Sequence, residues 1–186
     1  TSALSLSLYG TLDQNTTFFN QAQILTGNLN GTYNIICFTI AFAMIPLAKK
    51  LSAKKLHFLS LSIGGIGLLC MPFLNDVDIL FTLPFGNGID ISQIYLFSFG
   101  LGITWASMMA MPYQMLASSI PQGKTGIYMG IFNMFIVVPM IIQIFSVQYL
   151  VYDLLDQNPI NIIRLAGIFL ITGGLFSLFV SQPKTN

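Results

Sequence analysis

From Phe99 to Gln143 the chain carries one charged residue, Lys124. That scarcity limits the fold more than any other feature. The stretch reads as an apolar helix over about 91–117, a polar turn (SSIPQGKTG), and a second apolar helix over about 125–149 running back. The hydrocarbon core of a bilayer takes roughly 20 mostly apolar residues of helix, and both segments are that long. Three further stretches fit the same description, at about 29–48, 57–74 and 161–180. Charged residues make up 7% of the chain, against about 25% in soluble domains. Mean hydropathy is +0.77. In water such a chain would expose large apolar patches. The fold expected is therefore an all-α, polytopic membrane helix bundle with five complete spans.

The remaining segments join these spans. TSALSLSL at the start is too short to cross a bilayer and lacks the basic flank of a signal peptide. It reads as the outer end of a helix over 1–10 whose beginning is missing, so the chain is expected to be a fragment of a longer protein. Residues 11–27 read as a polar loop. Asn15-Thr16-Thr17 and Asn30-Gly31-Thr32 match the glycosylation pattern, which is short and common by chance. Residues 75–90 read as a loop with a Pro84-Phe85-Gly86-Asn87-Gly88 turn cluster, and YDLLDQNPIN as another.

The charges test this segmentation. There are 7 Lys plus Arg and 6 Asp, with no Glu. If the loop carrying Lys49, Lys50, Lys54 and Lys55 is cytoplasmic, alternation puts Lys124 and Lys184 on that side too. All the Asp residues then lie outside, as the positive-inside rule expects. Arg164 alone breaks the pattern, and can snorkel or pair with Asp153 or Asp156. The expected location is an inner or plasma membrane, multi-pass, with the C-terminus cytoplasmic.

Polar groups within the spans are the candidate functional groups, because lipid offers them no partners. Gly100, Thr104, Ser107, Met111 and Gln114 share a face of the third span, which should look into protein or a cavity. The competing reading is that Thr104 and Ser107 bond back to their own helix. Trp105, near the midplane, can stack on a sugar ring, although packing is the simpler role. In the fourth span Gly126, Gly130 and Asn133 share a face, Pro139 bends the helix, and Gln143 lies about a quarter turn away. An interhelical amide bond is the alternative to solute contact for Asn133. In the first span Asn34, Cys37 and Ala41 share a face. In the second, Ser60, Gly64 and Gly67 form a small-residue stripe that admits a neighbouring helix, with Met71 on the same face. Depth and shared faces make Asn34, Ser107, Asn133 and Gln143 the candidates for contact with a polar solute. Gly126, Gly130 and Pro139 are candidates for hinge or packing roles. His57 reads as an interfacial residue rather than a proton carrier, and Cys37 and Cys70 as small buried hydrophobes.

The same inventory argues against an enzyme. One His, no Glu and Asp only in outer loops leave no metal set, no nucleophile–base pair and no phosphate loop. No cofactor is expected. A net charge of +1 without a basic cluster gives no footing for nucleic acid.

The run GITWASMMAMPYQMLASSIPQGKTGIYMGIFNMFIVVPMIIQ resembles the tenth and eleventh helices of sucrose- and maltose-type proton symporters. These stand close to the glycoside–pentoside–hexuronide branch of the major facilitator superfamily. The residues carrying the likeness include Trp105-Ala106-Ser107, Met111-Pro112-Tyr113, Gly126 through Asn133, and Val138-Pro139. YGTLD near Tyr9, TYNII at Tyr33-Asn34 and SIGGIGLL at 62–69 resemble the end of helix seven, the start of helix eight and helix nine. AKKLSAKK lacks the Asp and Gly of the usual facilitator signature, and Met140 follows Pro139 where the family often has Gln. The resemblance implies the C-terminal half of a twelve-helix transporter, its first helix mostly missing. It also implies alternating access, a glycoside or disaccharide as solute, coupling to protons, and the missing N-terminal half as partner. The alternative from another class is a non-transporting membrane sensor or assembly subunit on a transporter fold.

Overall fold

The structure, a computed structural model, describes residues 1–84, 89–121 and 123–181. Phe85 to Gly88 of the expected turn cluster, Gln122 of the polar turn, and Lys184 lie outside the described residues. The chain is mainly helical: α1 Ser2–Tyr9, α2 Thr17–Leu51, α3 Ala53–Cys70, α4 Tyr95–Ala117, α5 Thr125–Ser146, the single turn α6 Tyr152–Leu154, and α7 Pro159–Ser177. Among the described residues four helical segments are long and apolar enough to cross a membrane: Thr17–Leu51, Ala53–Phe73, Thr125–Leu154 and Pro159–Ser177. α4 is not among them. Ser98, Gly100, Gly102, Thr104, Ser107 and Gln114 dilute its apolar content, and the first five are buried against other helices.

Residues 17–27 are helix rather than loop. The Thr16 hydroxyl accepts from the Phe19 amide at 3.2 Å and caps the helix. Ala22, Leu25 and Leu29 then recur at helical spacing and are buried, leaving Gln21, Gln23 and Asn28 outside. The resulting 35-residue helix is about 52 Å long at 1.5 Å per residue, well beyond a hydrocarbon core of about 30 Å. Its first turns therefore stand clear of any bilayer it crosses. The loop expected over 75–90 holds a hairpin, β1 Ile79–Leu83 paired antiparallel with β2 Ile89–Ser92, with Thr82 opposite Asp90 and an irregularity between Ile79 and Phe81. The expected third span accordingly starts at Tyr95 and not at 91. The fourth apolar helix ends in a π-helical stretch, Val147–Val151, before the turn at Tyr152.

α3 is the centre of the bundle, packed against α4 on one side and α7 on the other. Glycines set both distances. A Cβ on Gly64 would collide with the Thr104 side chain, and one on Gly100 would stand 3.2 Å from the Ile63 carbonyl oxygen. Towards α7, a Cβ on Gly65 would stand 2.7 Å from the Gly167 carbonyl oxygen, and one on Gly167 2.8 Å from that of Gly65. α2 meets α4 in the same way, Gly102 facing the Tyr33 carbonyl oxygen. Such small-residue seams let backbones approach and gain dispersion where apolar burial drives nothing. α2 and α3 are joined through Ser52 alone, at φ 64° and ψ 146°, a conformation essentially confined to glycine.

The two ends of the bundle differ in charge. Met44, Ala48, Ala53, Met111 and Met115 close one end, where Lys49, Lys50, Lys54 and Lys55 lie, and Lys54 Nζ donates to the Val180 carbonyl at 3.2 Å. Ala3, Leu4, Leu25, Leu29, Met71 and Ile94 close the other. There the Ser92 hydroxyl donates to Asp76 at 2.7 Å and the Thr82 hydroxyl to Asp90 at 2.7 Å. Arg164 pairs with neither Asp153 nor Asp156; it donates to the Asn161 amide oxygen at 3.3 Å. Cys70 is exposed, not buried.

Two substitutions separate the packed glycines from the open ones. Gly65→Leu is expected to cost about 1–3 kcal/mol or more by overpacking, read as a lower melting temperature in detergent. Gly130→Leu, with nothing within 4 Å of its Cβ position, is expected to melt like the parent. Equal melting of all three proteins would contradict the α3–α7 seam. Ser52→Gly relieves the strained link and is expected to stabilise by about 1 kcal/mol, whereas Ser52→Val should lower the melting temperature.

Candidate functional site

The polar face of α4 looks into protein. Thr104 Oγ1 donates to the Ser60 carbonyl of α3 at 2.8 Å, and Ser98 Oγ to the Leu29 carbonyl of α2 at 3.2 Å. Ser107 Oγ lies 2.9 Å from His57 Nδ1, and both side chains are buried. Thr104 and Ser107 therefore bond across helices instead of back along their own. Ser107 is fully enclosed, so it does not present its hydroxyl to a cavity. His57 is 8% exposed, which corrects the interfacial reading. Its ring turns inward because positions 57, 60 and 64 lie on the α3 face that meets α4. That spacing was present in the sequence beside the stripe Ser60–Gly64, and was the signal for it. Gln114, the last member of the α4 face, is exposed.

The opposite face of α4 borders open space. Leu101, Trp105 and Met108 form one wall of a cavity of about 610 Å³, closed by Tyr33 of α2, Gln143 of α5 and Phe169 of α7. Trp105 is 43% exposed. The lining is mainly apolar, with Gln143, Tyr33 and Thr104 as its polar residues, the last with its hydroxyl already bonded to the Ser60 carbonyl. This composition suits a ligand with both apolar faces and hydroxyl groups: rings pack on aromatic side chains while a few polar groups fix orientation.

The four proposed contact residues are thus dispersed. Gln143 lines the cavity. Asn34 is exposed and its Nδ2 donates to the Asn30 carbonyl of its own helix at 2.7 Å. Asn133 Oδ1 accepts from the Tyr113 hydroxyl at 2.6 Å, the interhelical amide bond that was the alternative reading for it. The Tyr113 ring also meets Phe132 edge-on at 5.0 Å. These contacts tether α5, a helix in which no residue is buried. Gly126 and Gly130 have open space on their free side, and Pro139 lies within the helix. Sequence reasoning missed Tyr33 and the α7 wall, because which helices face each other is a long-range property.

Among the described residues no group of three or more His, Cys, Asp or Glu side chains could hold a metal ion. Comparison of the chain with protein families, with characterised proteins and with solved structures finds no match.

The Tyr113–Asn133 bond is expected to couple the two positions by about 0.6 kcal/mol, the average for interhelical hydrogen bonds in membranes, and by no more than about 1.7 kcal/mol. A double-mutant cycle of Tyr113→Phe and Asn133→Leu, read by unfolding in bicelles, checks this. Strict additivity would show the tether to be energetically empty.

Proposed function

We propose that this chain is the C-terminal half of a secondary active transporter of the major facilitator type. It carries a glycoside or disaccharide, coupled to protons, by alternating access. The observation that carries the reading is the cavity between α2, α4, α5 and α7, with Trp105, Tyr33 and Gln143 on its walls. Its volume of about 610 Å³ lies within the range of roughly 300–1,000 Å³ typical of small-molecule sites. In this reading α4 completes a fifth span, its polar face turned to α3. The lysine end of the bundle faces the cytoplasm, and with it the C-terminus, in an inner or plasma membrane. The partners are the sugar, protons, the bilayer and an N-terminal half that closes the cavity; nucleic acid and cofactors have no part.

Trp105 offers a flat apolar surface for a sugar ring, and Gln143 both a donor and acceptors for hydroxyls. α5, held to α4 by Tyr113, is the element with the fewest internal constraints and the natural one to move between the two access states. The second reading, a non-transporting sensor or assembly subunit, is favoured by one fact: Ser107 and Asn133 are already paired within the protein.

Sealed vesicles containing the protein with its upstream half are expected to take up labelled sucrose or maltose faster under an inward proton gradient. Gln143→Ala is expected to raise KM roughly tenfold, about 1.4 kcal/mol, with little change in maximal rate. Gradient-independent uptake would remove the coupling. No uptake across a wide sugar panel, by correctly inserted protein, would favour the non-transporting reading.

A further inference from the structure

His57 is the chain's single histidine, and the sugar cavity does not use it. Its Nδ1 is engaged by Ser107 at 2.9 Å. Among the described residues its Nε2 has no hydrogen-bond partner. The ring borders a second, smaller cavity of about 280 Å³ between α3, α4, α5 and α7, walled by Met109, Pro112, Phe132, Ile136 and Phe169. Met108 and Leu170 of the smaller cavity also line the larger one, so the two adjoin.

The charged groups on the elements around the ring all lie at their ends. On α3 itself these are Lys54, which bonds to the Val180 carbonyl, and the exposed Lys55. On α2 they are the exposed Lys49 and Lys50. α4 has none, and its Tyr113 hydroxyl is committed to Asn133. α5 has only Lys124 at its start, and α7 only Arg164, near the far end. No carboxylate faces the ring from any of them.

We propose that His57 is a proton-binding residue of this protein, oriented by Ser107 and loaded from water entering the smaller cavity. With Nδ1–H donating to Ser107 Oγ, Nε2 holds the ring's lone pair. Hydronium in the cavity gives its proton to Nε2, the ring becomes imidazolium, and water is left; release is the reverse step. The cation then has a second N–H without an acceptor and no counter-charge, in a wall otherwise apolar. An unpaired buried charge strongly disfavours the closed arrangement. Protonation therefore shifts the population towards arrangements in which the cavity admits water or an acceptor. Because Met108 and Leu170 belong to both cavities, that opening also changes the shape of the larger one. The coupling to solute rests on the transport reading; the protonation itself does not.

The test uses the full-length protein with ring-15N-labelled histidine in lipid nanodiscs, the His57 signal being assigned by its loss in His57→Gln. The ring is expected to titrate reversibly between about pH 4 and 9, a range that brackets the ordinary histidine value of about 6.5. At alkaline pH one tautomer, protonated at Nδ1, should dominate. Ser107→Ala should leave the titration in place but populate both tautomers, an effect that mere loss of packing would not produce. In vesicles His57→Gln is expected to lose the pH-dependent part of uptake while keeping solute exchange at fixed pH. A ring that keeps one protonation state across that range would overturn the proposal, as would an unaltered pH profile of uptake in His57→Gln. If the parent protein takes up no sugar, the transport reading fails and the ring titration alone decides this one. Should His57→Gln not fold, the signal that changes tautomer in Ser107→Ala assigns the His57 ring, and the parent and Ser107→Ala decide through it.

Discussion

A hydroxyl or an imidazole surrounded by hydrocarbon can bond only to another protein group, and the α3–α4 seam is arranged around that constraint. Ser60, Gly64 and His57 on one helix meet Thr104, Gly100 and Ser107 on the other. The glycines allow the approach, and the approach lets Thr104 reach the Ser60 carbonyl and His57 reach Ser107. The two effects depend on each other. A larger residue at 64 would separate the helices and strand two buried hydroxyls and a ring nitrogen together. With the polar face of α4 satisfied there, its other face, with Trp105 and Met108, is left to border the cavities.

The same constraint explains what the sequence made legible. Long uncharged runs and one-sided placement of lysine and aspartate are local or additive signals, and they placed the helices and sorted the charges to two ends. The small-residue stripe of α3 was legible because Ser60 and Gly64 repeat at helical spacing. Its second seam, Gly65 against Gly167, was not, since nothing local marks a glycine as facing a particular partner. Residues 17–27 were misread because Gln, Asn and Thr are interspersed among the apolar residues, while Ala22, Leu25 and Leu29 set the periodicity. The hairpin at 79–92 was missed because its strands are only five and four residues long, and β1 is almost wholly exposed with no apolar–polar alternation.

At the site, polarity alone was an incomplete guide. Ser107 and Asn133 are polar at depth because each completes a bond to another helix. Asn34 satisfies itself on its own backbone. Gln143 is the one candidate amide that faces open volume. The cavity is defined instead by shape, through Tyr33, Trp105 and the α7 wall, which only the packing of α2, α4 and α7 brings together. α5 closes it from one side and is fixed to the rest chiefly through Tyr113. An apolar helix with no buried residue needs lipid or further protein over most of its surface.

The most direct test of the account is whether a sugar occupies the cavity at Gln143. In the full-length protein, with Cys37 and Cys70 replaced by alanine, Gln143→Cys would be alkylated in the presence of increasing sucrose or maltose. Saturable slowing of the reaction, with no slowing at a cysteine placed on the outward side of α5 at Ile127, is the expected result. An alkylation rate at position 143 that no sugar alters, in protein that is folded and inserted, would contradict the cavity as a sugar site.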